Sequence, residues 1–143
     1  MYSTAHLAAG LIIGKLTGDY PTAIISAVAI DLDHLIPHAK SRLIFKPLKM
    51  LQAAKMTHES HRSYLHSFIA YAVIVAILAI FSWKIALVFS LGMLSHFFLD
   101  AIDDDDFYPL FPWKNFNTRG FIGYYSTTEF IFTFFLYIIY FII

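Results

Sequence analysis

Histidine and aspartate gather in four short clusters along an otherwise apolar chain: His6; Asp31, Asp33 and His34; His61, Arg62 and His66; and His96 with Asp100. Five of the seven histidines and three of the eight aspartates lie in them, so overall composition does not explain the grouping. Imidazole and carboxylate converging at one point make a divalent-metal site. Cysteine is absent, which excludes disulfides, thiolate zinc sites and a cysteine nucleophile. Any ion must therefore be held by nitrogen and oxygen.

His96 and Asp100 are spaced i, i+4 and share one face of a helix. They suit two ligands of one ion, or a ligand and its supporting carboxylate; the bland alternative is a buried hydrogen-bonded pair. Asp31 and His34 share a face at i, i+3. Acids at a helix C-terminus oppose the macrodipole, and a cation compensates them. Asp33, pointing elsewhere, suits a ligand, a bridging carboxylate or a general base. His61 and His66 meet at one centre if His61 lies just before the regular helix. Arg62, at i, i+4 from His66, suits a phosphoryl oxygen or developing negative charge, against a plain anchoring role. His6 is recruited only by topology. His58 reads equally well as a surface histidine, His38 is weaker, and Asp103–Asp106 read as a solvated loop, with Asp103 within reach of the site.

These clusters need elements to position them. The chain has 143 residues, 59% apolar and 14% charged, with fifteen Phe and nine Tyr. A soluble domain has about 45–50% apolar and about 25% charged residues, so the bias points to a membrane protein forming one domain over residues 1–143. Net charge is zero, which gives no global attraction to nucleic acid. No basic residue precedes the first apolar stretch, contrary to a cleaved signal peptide.

Five apolar segments are expected to be helical: about 5–16, 21–35, 63–81, 85–102 and 127–143, an all-α bundle. A spanning helix needs about 17–25 residues, so the last three qualify and the first two form a re-entrant hairpin or short spans. If every segment crosses, all four clusters fall at one end of the bundle, where eight of the ten basic residues also lie. The positive-inside rule makes that end cytoplasmic. Tyr20 and Trp83 fit an aromatic belt at the far end; Trp113, Tyr124 and Tyr125 fit one at the cluster end.

The order of these motifs resembles the YdjM-like, LexA-regulated membrane-bound metal-dependent hydrolases. The resemblance rests on His6 with Ala8-Ala9-Gly10, Asp31-Leu-Asp33-His34, His61-Arg62-x3-His66-Ser67, Gly92-x3-His96-x3-Asp100 and Leu110-Phe111-Pro112. It covers nearly the whole chain. Ile30 replaces the usual proline, and Ser63 and Leu65 replace the usual glycine and threonine; the ligand positions are unchanged. The family is similar to zinc-dependent phospholipase C and related nucleases, which implies hydrolysis of phosphoesters.

The expectation is thus an integral membrane bundle with a divalent-metal site. Its ligands are His6, Asp31, His34, His61, His66, His96 and Asp100, with Asp33 and Arg62 catalytic. Zinc comes first and manganese second. Eight candidate donors exceed one tetrahedral shell, so two ions are expected, activating a water toward a phospholipid or lipid-linked phosphate. A metal transporter or a metal-stapled structural protein is the alternative.

Overall fold

The computed structural model of the chain describes residues 3–34 and 64–143, with side chains for 3–31 and 65–143. Those residues form five α-helices: α1 Ser3–Thr17, α2 Tyr20–Val28, α3 Phe68–Phe81, α4 Trp83–Ile102 and α5 Thr127–Ile142. Short 3-10 turns occupy Ala29–His34 and Tyr64–His66. There is no strand among the described residues, only isolated bridges, and the fold is all-α.

Local chemistry sets the boundaries. Gly18 adopts φ 77°, a left-handed conformation open to glycine, and reverses the chain after α1. Asp19 then caps α2, its carboxylate accepting from the Thr22 amide at 3.1 Å, while Pro21 sits in the first turn. Ser82 serves two helices. Its amide donates to the Leu78 carbonyl at the end of α3, and its hydroxyl accepts from the Ile85 amide at the start of α4. At α5, Ser126 accepts from the Glu129 amide at 3.1 Å, and the Glu129 carboxylate accepts from the Tyr125 amide at 2.6 Å. Glu129 thus reaches back to the amide just before the Ser126 cap, a variant of the capping box that explains why Glu129 is buried in so apolar a helix.

Small residues bring α1, α2 and α4 together. Ala5, Ala8, Ala23, Ser26 and Ala27 are buried. A Cβ on Gly10 would lie 3.0 Å from the Ala27 Cβ, and one on Gly92 would lie 1.9 Å from the Ser26 hydroxyl. Backbones that approach this closely pack by van der Waals contact without large side chains. α4 is the central helix, touching α1, α2 and α3, while α5 lies along α1. Lys15, in the last turn of α1, donates to the carbonyl of Tyr140, near the end of α5, at 3.0 Å. Ala5, near the start of α1, packs with Ile122, just ahead of α5. The two helices therefore run in the same direction. Contacts of Gly92 with Ser26 and of His96 with Ala27 likewise set α2 and α4 parallel.

Two expectations need correction. The second segment is not one helix to residue 35: the α-helix ends at Val28 and tightens into a 3-10 turn. The third does not start at 63, because Ser67 caps it, accepting from the Ala70 amide, and regular helix begins at Phe68. That leaves 14 residues in α3 and 16 in α5. At 1.5 Å per residue they reach about 21–24 Å, short of a hydrocarbon core of about 30 Å. Among the described residues only α4, with 20, is long and apolar enough to cross a membrane.

Candidate metal centre

Four separate segments bring five donors to one end of the bundle. His6 comes from the first turns of α1, Asp31 from the 3-10 turn after α2, His66 from the 3-10 turn before α3, and His96 with Asp100 from α4. All but Asp31 are buried; Asp31 is partly exposed and marks the side nearest solvent.

His96 is the hub. Its Nδ1 lies 2.8 Å from the carbonyl of Ala27, and a carbonyl only accepts, so Nδ1 carries the proton. In the neutral ring that leaves Nε2 as a lone pair directed into the cluster, the usual way a backbone carbonyl fixes a metal-binding tautomer. Around that Nε2 lie His66 Nε2 at 3.3 Å, Asp31 Oδ1 at 3.5 Å and Asp100 Oδ2 at 3.5 Å. Asp31 Oδ1 is also 3.8 Å from His66 Nε2, and Asp100 Oδ1 is 3.6 Å from His6 Nε2. The His6 ring stacks on His96 with centroids 3.9 Å apart. Two triads result, His6–His96–Asp100 and Asp31–His66–His96, each with donor atoms within 4.8 Å of one another.

Two observations test whether an ion fits. Ligands about 2.0–2.1 Å from a tetrahedral zinc are about 3.3–3.4 Å apart, close to the 3.3–3.8 Å separations here. His6 is fully buried, yet neither ring nitrogen has a hydrogen-bond partner among the described residues. An unsatisfied buried polar group costs about 1–3 kcal/mol, which a cation at Nε2 would offset. The donor set fits a divalent ion.

The remaining candidates fare differently. Asp33 and His34 belong to the 3-10 turn by backbone, but their side chains lie outside the described set, as do His38, His58, His61 and Arg62 entirely. The pairing of Arg62 with His66 lies outside the described residues; His66 itself sits in a 3-10 turn ahead of α3.

Some supporting groups carry no readable pattern in sequence. The Ala27 carbonyl has no side-chain signature. Asp103, the one residue of the acidic run expected within reach of the site, is buried, and burial raises its carboxyl above the usual range. Tyr124 is also raised, first by burial and then by Tyr125, Glu129, Asp103 and Asp31. The Pro109 carbonyl accepts from the Phe68 amide at 2.8 Å, tying the α4–α5 connection to the chain just after His66.

No curated protein and no solved structure matches the chain. Its whole length, residues 1–143, matches the family described as YdjM inner membrane protein. The donor cluster and the apolar helices that carry it thus belong to a membrane protein, and the chain is a member of the YdjM inner membrane protein family.

Proposed function

We propose that this chain is an integral membrane bundle whose buried donor set binds divalent metal and hydrolyses a phosphoester, a phospholipid or lipid-linked phosphate. The observation that carries the reading is the convergence of five donors from four segments on His96, at one end of the bundle. Costly polar groups placed within apolar helices point to function.

A bound divalent ion would polarise a phosphoryl oxygen and lower the pKa of a water. Because His96 Nε2 has one lone pair, it serves one ion, and a second would draw on His6 and Asp100 with His34 or His61. Asp33 takes the proton from the attacking water as its oxygen bonds to phosphorus. The proton then passes to the departing alcohol as the ester P–O bond breaks. Arg62 neutralises charge on the phosphoryl oxygens.

Asp33 and Arg62 separate catalysis from a merely structural metal. Asp33→Asn and Arg62→Ala are expected to keep fold and metal while turnover falls about 100- to 1,000-fold, typical for one lost charge-stabilising donor. Headgroup or phosphate release from phospholipid and phosphodiester panels, with zinc or manganese added, measures it. Unchanged turnover in both variants removes these roles.

Orientation has its own test. With no native cysteine, Lys49→Cys, Lys84→Cys and Ile143→Cys each give a unique label site. The eight-to-two division of basic residues predicts that Lys84→Cys and Ile143→Cys react with an external reagent while Lys49→Cys is protected. Strong external labelling at position 49 overturns the cytoplasmic site.

A further inference from the structure

The connection between α4 and α5, residues 103–126, is a bonded frame that holds large apolar side chains outward. Phe107 and Thr118 exchange backbone hydrogen bonds at 3.0 and 2.8 Å, and the Asp104 amide donates to the Ile122 carbonyl at 3.0 Å. The amides of Gly120 and Phe121 donate to the carbonyls of Asp103 and Ile102. Phe107 is buried against Phe97, with ring centroids 5.6 Å apart. On this frame Leu110, Trp113, Phe116 and Phe121 remain 45, 61, 54 and 81% exposed. Four such side chains held in water call for an apolar partner.

We propose that this loop seats in the interfacial layer of the bilayer and sets the donor cluster at the boundary between headgroups and acyl chains, just beneath the lipid phosphates. The substrate would then be a phosphoester of a bilayer-resident lipid, a clause that rests on the hydrolase reading above. The occupant follows from continuity with the membrane face of an inner membrane protein. The loop starts one residue after α4, the helix of spanning length, and Phe98 near the end of α4 is exposed. Phe130 and Ile131 are exposed in the opening turns of α5, so apolar surface adjoins the loop from both helices. Tryptophan beside lysine, as in Trp113-Lys114, is the composition of a membrane boundary.

Charge is not the attraction. Asp103 to Asp106 supply four negative charges against Lys114 and Arg119, which leaves the loop at −2. Burial of the apolar tips drives the seating. Depth follows from helix geometry: Asp100 and His96 lie two and six residues before the end of α4, about 3 and 9 Å along its axis. The interfacial layer is about 5–8 Å thick on each side of the hydrocarbon core. With the loop in that layer, the donors reach the boundary between headgroups and acyl chains.

The test uses the full chain in phosphatidylcholine vesicles. Trp113→Cys, unique in a cysteine-free chain, is labelled with a polarity-sensitive fluorophore. Its emission should be quenched more by lipid brominated near the glycerol end than by lipid brominated deep in the acyl chain. Iodide in the water should quench little, and adding anionic lipid should change nothing. Full quenching by iodide with no bromine effect overturns the seat and leaves a protein partner as the cover. Phe121→Cys, labelled in the same way, repeats the reading at the most exposed of the four positions. A matched pair of phosphoesters, one soluble and one bilayer-anchored, tests the substrate clause. The anchored form should turn over about tenfold faster, because it is already concentrated at the right depth. A faster soluble form overturns the substrate class, and turnover of neither overturns the hydrolase reading, while bromine quenching reports on the seat in both cases.

Discussion

His96→Ala is expected to remove the ion bound through its Nε2 and to weaken metal binding more than any other single substitution in the donor set. His96 alone belongs to both triads, and its Nε2 lies 3.3–3.5 Å from His66, Asp31 and Asp100. Removing it leaves buried carboxylates with fewer positive or metal partners. Losing only an outer hydrogen-bond partner of a ligand costs about 10- to 100-fold in metal affinity, so loss of the shared ligand should exceed that. His66→Ala and His6→Ala each remove one triad and should have smaller effects. Elemental analysis after dialysis against zinc or manganese checks the ranking. Stoichiometric metal in the wild type, His66→Ala and His96→Ala alike would show that the ligands are assigned wrongly.

Gly92→Ala is expected to damage stability and site together. The added methyl would lie 1.9 Å from the Ser26 hydroxyl, 2.9 Å from its Cβ and 3.0 Å from the Ala23 carbonyl oxygen. Ser26 cannot simply turn away without losing its bonds to the carbonyls of Thr22 and Ala23, at 2.8 and 3.1 Å. The helices must part, and overpacking of this kind costs about 1–3 kcal/mol. One turn further along the same α2–α4 seam lies the 2.8 Å bond from His96 to Ala27. Separation there frees the imidazole, so metal affinity should fall along with the unfolding midpoint. Ser26→Ala in the same chain removes the shortest clash and should restore part of both. A Gly92→Ala protein with unaltered midpoint and metal binding would mean that the α2–α4 seam does not position His96.

The convergence of the clusters was legible because direction alternates from one helix to the next. His6, Asp31, His66, His96 and Asp100 come from distant parts of the chain, yet simple up-and-down tracing puts them at one end, where the structure has them. The helix boundaries were legible where a residue enforces them, as at Gly18 and Pro21. They were misread where two residue types compete. Ser67 can continue a helix or cap one, and its side chain caps α3. Leu32 and Leu35 extend the apolar pattern of α2, but periodicity of apolar residues does not separate 3-10 from α winding over one turn. Burial of Asp103 depends on the folded α4–α5 connection, a product of tertiary contacts with no local pattern.

The most direct test of the central claim is X-ray absorption at the metal edge of the zinc-loaded, membrane-reconstituted wild-type chain. The account predicts a bound ion in a shell of nitrogen and oxygen only, with the multiple-scattering signature of at least two imidazoles, lost in His96→Ala. Zinc that does not bind, or a shell with oxygen and no imidazole, would contradict a metal centre built on His96.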